Sequence, residues 1–269
     1  MNHLWRERAP ITAEGWKLLD EEAANALRTT LAARKLLDVS APLGWSHSAL
    51  NLGRVVPLDT APVAGVEAAQ RRVLPLVELR SRFEISLDEL RDAERGARDL
   101  DLDALDAAAT RIATAENAAL LHGWPAAGIA GVTGASGPAP VSLPDAFGDY
   151  PNVVARAVET LREGGVDGPY GLALGADEHT GVVETTEHGG YPLFEHLRHI
   201  LDGPIVRAPG VQGAIVLSLR GGDYMFELGE DLSLGYRSHD AQAVTLYLEE
   251  TFVFHVASPE AGIWLRRPA

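Results

Sequence analysis

The chain of 269 residues contains no cysteine, which removes thiol catalysis, disulfide bonds and cysteine-based zinc sites together. Any metal would have to be held by His, Asp and Glu. Positive charge is scarce as well, with 23 Lys and Arg against 38 Asp and Glu and a formal net charge of −15. Nucleic-acid phosphates are bound by clustered Lys and Arg that displace counterions. A nucleic-acid partner is therefore not expected, and the same deficit argues against a membrane partner. Met1 to Pro10 (MNHLWRERAP) lacks the apolar core of a signal peptide, and no apolar run is long enough to span a bilayer. The expectation is a soluble, cytoplasmic protein. The chain also lacks the phosphate-binding motifs G-x-G-x-x-G and G-x-x-x-x-G-K-[ST], the nucleophile elbow G-x-S-x-G and the zinc motif H-E-x-x-H.

What is present is a core-forming composition, 46% hydrophobic, patterned into elements. Thr12 is placed to cap a helix in which Trp16, Leu19, Ala23, Leu27 and Leu31 recur every three to four residues, ending near Arg34. Ala41 to Leu76 is different. Its Pro, Gly and short alternating runs (Leu50, Leu52, Val56, Leu58) predict a two-stranded arm, and Pro57 marks an exposed edge. Val77 to Ile85 alternates fully between an apolar and a charged face. Ser86 to Glu89 (SLDE) reads as a capping box opening a helix that stops at Gly96. A second helix, Asp103 to His122, aligns Leu105, Ala109, Ile112, Glu116 and Ala119. After a loop-rich connection, Gly128 to Pro144, come a helix (Pro151 to Glu163), a strand (Tyr170 to Leu174) and a histidine-rich region. Strands fill most of Pro204 to Val256. Helices and strands mix without regular alternation, so the predicted class is α+β. Nothing obvious in the chain covers the arm, and a neighbouring copy is the natural cover.

Three acidic or histidine-rich stretches are candidates for chemistry. RGGDYMFELGEDLSLGY, Arg220 to Tyr236, offers Asp223, Glu227, Glu230 and Asp231. Its alternation predicts strand, turn and strand, with Tyr224, Phe226 and Leu228 buried and Asp223, Met225 and Glu227 on the solvated face. DLDLDALD, Asp99 to Asp106, spaces aspartates like a calcium loop, but Ala104 and Thr110 stand where Gly and Glu are required. It reads as an acidic helix N-terminus. His179, His188, His196 and His199 cluster with glutamates, and His196 and His199 share a helix face from which Glu195 or Glu187 could complete a metal site. A solvated polar helix and loop, or a pore lining, fits the same residues.

Several segments taken in order resemble one family: HLWRERAPIT, ARKLLDVSAPLGW, LPLVELRSRFEIS with DELRDAERG, GVDGPYGLALGAD, and RGGDYMFELGEDLSLGY continuing to SHDAQAVTLYLEETFVFHV. These are similar to the encapsulin shell proteins, formerly called linocin-type bacteriocins, which share the HK97-like capsid fold of tailed bacteriophages. The resemblance implies a P domain from residues 1–48, 77–134 and 224–269, an extended E-loop from 49–76 and an A domain from 135–223. It implies a noncatalytic subunit that assembles with itself, about 60 copies or a larger multiple, and encloses a cargo enzyme, ferritin-like or a dye-decolourising peroxidase, by its C-terminal peptide. Residues matching the family's docking groove are Leu27, Leu31, Arg34, Leu36, Asp38, Leu234 and Tyr236. Those matching the five-fold pore are Glu184, Glu187 and His188. No cofactor is expected, because family members that carry flavin have an aromatic residue where this chain reads LDELRDAERG. An enzyme of hydrolase or bacteriocin type and a phage major capsid protein remain the alternatives.

Overall fold

The computed structural model describes residues 2–187 and 189–268. Helix α1 (Ala13–Thr30) starts as its cap dictates, the Thr12 hydroxyl accepting from Gly15 N at 3.2 Å, and buries Trp16, Leu19, Ala23 and Leu27. It stops short of Arg34 because a buried side chain takes over the backbone there. Asn117 Oδ1 accepts from the amides of Ala32 and Ala33 at 3.0 and 2.9 Å, while its Nδ2 donates to the carbonyls of Thr30 and Pro209 at 2.8 and 3.2 Å. A 3-10 turn (Ala33–Lys35) leads to the short strand β1 (Asp38–Val39).

Next come β2 (Ala49–Leu58), β3 (Ala68–Pro75), β4 (Val77–Ser86) and α2 (Leu87–Glu94). Ser86 caps α2, accepting from Asp88 N at 3.1 Å, but the expected capping box is not closed: Glu89 instead accepts from Asp101 N. Helix α3 (Asp103–Leu121) buries all five residues of its expected stripe, Glu116 included. The aspartates before it serve the helix start, Asp101 accepting from Asp103 N at 3.2 Å. After α4 (Gly131–Gly134) and β5 (Val141–Ser142) follow α5 (Tyr150–Glu163), β6 (Tyr170–Leu174), α6 (Ala176–Glu184) and α7 (Leu193–Leu201). The chain ends with β7 (Ile205–Arg207), β8 (Ala214–Ser218), β9 (Tyr224–Leu228), β10 (Ser233–His239), β11 (Ala243–Val256) and β12 (Gly262–Arg266).

Strand β11 organises the first sheet. Residues Ala243–Phe252 pair antiparallel with β4 along one edge, and β10 and β9 lie along the other. This corrects the expected strand–turn–strand. The chain does not reverse between β9 and β10; the two run end to end in one direction, both antiparallel to β11, and Gly229 to Leu232 form a break in a single edge. Across the break Gly229 N still donates to Thr251 O and Thr251 N to Glu230 O, at 2.8 and 2.9 Å. One face of this sheet packs on α1 and α3, placing Phe83, Ile85, Leu234, Leu246 and Leu248 against Leu19, Leu27 and Ile112.

The second sheet has the order β5-β12-β8-β6-β7. Tyr150 and Val154 of α5 and Leu197 of α7 are buried in one cluster with Leu172 and Ile215 of its strands. Two helix-packed sheets with mixed pairing make the fold α+β. The third sheet is the hairpin β2–β3, whose strands pair with each other alone among the described residues. Val55, Val56, Leu58, Val63, Val66 and Val73 of this arm are exposed.

Asn117 makes four hydrogen bonds to backbone in a dry setting. Replacing it by leucine orphans those groups, each costing roughly 1–3 kcal/mol. Denaturant unfolding of Asn117→Leu should show a loss of at least about 3 kcal/mol, and a loss below about 1 kcal/mol would remove Asn117 as the helix stop.

Candidate functional site

The seven docking candidates sit around the end of α1 and the start of β10, and the structure divides them. Leu27 and Leu234 are buried in the α1–α3 cluster, with Leu31 and Tyr236 half-buried against it. Leu36 belongs instead to the second cluster, where its side chain lies over Gly171. Asp38 is exposed at the start of β1 and accepts from Gly222 N at 2.7 Å. Leu27, Leu36 and Leu234 are core within the subunit itself, which leaves Leu31 and Tyr236 as the part-exposed apolar members of the set.

Arg34 is engaged inside the chain. Its Nε and Nη2 donate to Glu116 Oε2 at 2.8 and 2.6 Å, Nη2 also reaches Glu250 Oε2 at 3.0 Å, and Nη1 donates to Asp231 Oδ1 at 2.7 Å. Four of its N–H directions are used inside the chain. Three carboxylates share one guanidinium, Glu116 and Glu250 fully buried and Asp231 part-exposed. Burial alone would lower the Arg34 pKa, but Glu116, Glu250 and Asp231 outweigh it and hold the guanidinium charged. Burial, followed by the charge and hydrogen bond of Glu116, raises Glu250 well above the ordinary carboxylate range against the pull of Arg34.

Two of the expected pore residues, Glu184 and Glu187, lie around a tight loop. Glu184 ends α6 and is exposed. Glu187 is half-buried, faces His196 Nδ1 at 2.8 Å, and closes the loop through backbone bonds with Tyr191 and Gly190. His188 lies outside the described residues. His196 is engaged by Glu187, and no group of three His, Asp or Glu placed to hold a metal occurs among the described residues. Of the acidic residues in RGGDYMFELGEDLSLGY, Asp223 is not solvated as expected. It is buried and paired with Arg220 through two bonds of 2.9 Å.

Glu116 stands in the apolar stripe of α3, and Glu250 alternates in β11 with the buried Leu246, Leu248 and Phe252. An acid at a core position of a helix stripe or strand is itself the signal, because a buried charge requires a partner. Glu249 carries the same signal on the other face of β11: it is fully buried, pairs with Arg80, and lies 3.4 Å from His3 Nε2.

Burial and Glu116 raise Glu250 well above the 4.5 at which it ionises when exposed, so the folded state favours the extra proton. The stability this confers is complete below the ordinary pKa and falls as pH rises towards the folded one, by up to about tenfold in the folding equilibrium per pH unit. Denaturant unfolding from about pH 5 to 9 should show this decline in the wild type and a flatter course in Glu250→Gln, which is neutral throughout. Parallel courses would remove Glu250 as the titrating group.

Comparison with known proteins adds what geometry alone does not. The family model described as an encapsulating protein for peroxidase matches residues 1–253. The type 1 encapsulin shell protein of Rhodospirillum rubrum is 45% identical, the match covering 99% of this chain and 97% of that one. The type 1 encapsulin shell protein of Rhodococcus erythropolis is 44% identical, covering 98% of this chain and all of its own. Among solved structures, the virus-like particle of Pyrococcus furiosus superposes with a TM-score of 0.66 over 93% of this chain and 99% of that one, at 17% identity, a likeness of fold. Matched at this identity along nearly its whole length, the chain belongs to the encapsulin shell proteins, and its two helix-packed sheets and projecting arm are their HK97-like capsid fold.

Proposed function

We propose that the chain is the repeating subunit of a closed icosahedral compartment in the cytoplasm, about 60 copies or a larger multiple, and that it encloses a cargo enzyme. The observation that carries this reading is the arm. An isolated two-stranded ribbon is marginal in water, yet this one projects with Val55, Val63 and Val66 about three-fifths exposed. Covering such side chains against a neighbour yields roughly 1.5–3 kcal/mol for each one fully buried, enough when several are covered to offset the ordering costs of association. Repeated equivalent contacts close under symmetry.

In this reading 49–76 is the E-loop, residues 1–48, 77–134 and 224–269 form the P domain, and 135–223 the A domain. Supporting it, the α1–α3 cluster draws on the P-domain ranges, while the second sheet comes from the A-domain range except for β12. The loop after α6, with Glu184 and Glu187, would ring a pore and favour cations. A ferritin-like or peroxidase cargo would dock its C-terminal peptide on Leu31 and Tyr236. Each tail binds modestly, and an oligomeric cargo gains from effective concentration. Nucleic acid and membrane have no place in this reading. Consistent with the second, no described helix is long and apolar enough to cross a membrane.

Two experiments test it. Deleting residues 49–76, or introducing Val55→Asp with Val73→Asp on the exposed arm, should leave a folded subunit by circular dichroism that fails to form shells by size exclusion and negative-stain microscopy. Normal shells from these variants would sink the assembly reading. For cargo, Leu31→Asp places a charge on the half-buried groove wall. Shells should still form, and fluorescence per purified shell from a co-expressed, peptide-tagged fluorescent protein should drop at least about tenfold, the loss expected from about 1.4 kcal/mol or more of binding. Undiminished loading would move docking elsewhere. Arg34→Ala should cost the subunit itself, since it strands two buried carboxylates.

A further inference from the structure

We infer that the outer face of the first sheet carries a binding site for phosphate groups, formed by Arg8, Arg80, Arg82 and Arg237 around a cavity of about 330 Å³ walled by Trp5 and Tyr247. The face is the one turned away from α1 and α3. Arg80 and Arg82 point outward from β4 because Phe83 and Ile85 take the inward positions. In the next strand Arg82 is opposite Tyr247 and Arg80 opposite Glu249. Tyr247 is in turn opposite Gly235, where any side chain would collide with its ring, so a glycine at this point lets the tyrosine lie flat across the edge strand.

The N-terminal segment completes the wall. Leu4 O accepts from Tyr236 N at 2.8 Å and lays this segment along β10. Trp5 then takes a left-handed backbone conformation, φ 54°, one of two such non-glycine residues among those described. A tryptophan holds that conformation only where its surroundings impose it. Arg8 stacks on the Trp5 ring at 3.6 Å and Arg80 on Tyr247 at 4.9 Å, so both guanidiniums are held by aromatic faces at the cavity rim.

The balance of charge decides the class of ligand. Arg80 is balanced by the buried Glu249 and by Glu78. Arg82 and Arg237 have no carboxylate within 4.0 Å among the described residues, and the cavity therefore keeps uncompensated positive charge in a chain of net −15. The repulsion of the remaining surface is screened beyond about 8 Å at physiological ionic strength, so the nearby guanidiniums set the local potential. Arginine forks match phosphate oxygens two at a time, and a cavity of this size takes a small molecule. The phosphate can come as an inorganic di- or polyphosphate or as part of a nucleotide, whose base would lie near Trp5 and Tyr247.

The test uses assembled, purified protein and equilibrium dialysis against inorganic pyrophosphate and, separately, ADP. Pyrophosphate should bind saturably, one per subunit, with affinity falling as salt is raised. Arg82→Ala with Arg237→Ala should weaken it at least tenfold without changing particle size, and Arg82→Lys alone should retain part of the affinity. A control pair away from the arm and the cavity, the exposed Arg98→Ala with Arg156→Ala, should leave it unchanged. Equal affinity for both ligands assigns recognition to phosphate alone, and tighter ADP binding adds the ring. Absence of saturable pyrophosphate binding, equal loss in the control pair, or ADP binding without pyrophosphate binding would overturn the proposal. If the double variant fails to assemble, the single variants and the salt dependence of the wild type decide it by the same criteria.

Discussion

A single guanidinium, Arg34, stands where four parts of the chain meet. It lies just past α1 and reaches α3 through Glu116, β11 through Glu250 and the break between β9 and β10 through Asp231. Burying this group of charges is a poor route to stability alone, since well-packed hydrophobic residues of similar volume often do as well or better. What the charges supply is direction. Leucines at positions 116 and 250 would tolerate a slide of α3 along the sheet, whereas bonds of 2.6 to 3.0 Å to one planar fork do not. Burial and Glu116 raise Glu250 above the ordinary carboxylate range, which ties this joint to pH.

The break in the β9–β10 edge connects that joint to the arm. Gly229 sits where any side chain would collide with Thr251 Oγ1 and with Leu76 at the arm's base. Its carbonyl accepts from Gly44 N at 2.8 Å, Leu228 O accepts from Leu43 N at 3.0 Å, and Glu227 pairs with His47 Nε2 at 2.7 Å. Leu76 N closes the root by donating to Ser48 O at 3.0 Å. Further along the same break, Asp231 joins Arg34. The hairpin therefore projects from a braced base, and its own bulge, with Gly53 N bonded to Asn51 Oδ1 at 2.9 Å, sets a bend within it.

Much of this is legible in the sequence because periodicity reports burial directly. The stripe from Trp16 to Leu27, the stripe of α3 and the alternation of Val77 to Ile85 all describe faces that pack. The break at Gly229 reads as a reversal for a physical reason: glycine and acidic residues mark both turns and bulges, and only the partner strand tells them apart. The periodicity of α1 overruns its true end because Asn117, 85 residues from Ala32 in sequence, stops the helix. The docking candidates rest on resemblance, and spacing on a helix cannot say whether Leu27 faces a groove or a core. Asp223 reads as solvated through the same gap, since its partner Arg220 lies outside the alternating run.

The edges of the sheets give the last constraint. Unpaired strand edges invite association, and folds that must avoid it shorten or cover them. Here β5 and β7 at the rim of the second sheet have two and three residues. The free side of β10 is engaged by the backbone of Leu4, and on β4 the carbonyl of Arg82 accepts from the Arg111 side chain at 3.0 Å. The arm is treated in the opposite way: ten residues of β2 and eight of β3 run beside each other with their outer edges and their valines uncovered. Its prolines, Pro57 and Pro75, interrupt the rows of donors, so a neighbouring backbone cannot pair along it in any register. In the proposed shell, association would thereby be directed to one projecting element and to particular alignments on it, which is what distinguishes a subunit that joins specific neighbours from one that aggregates.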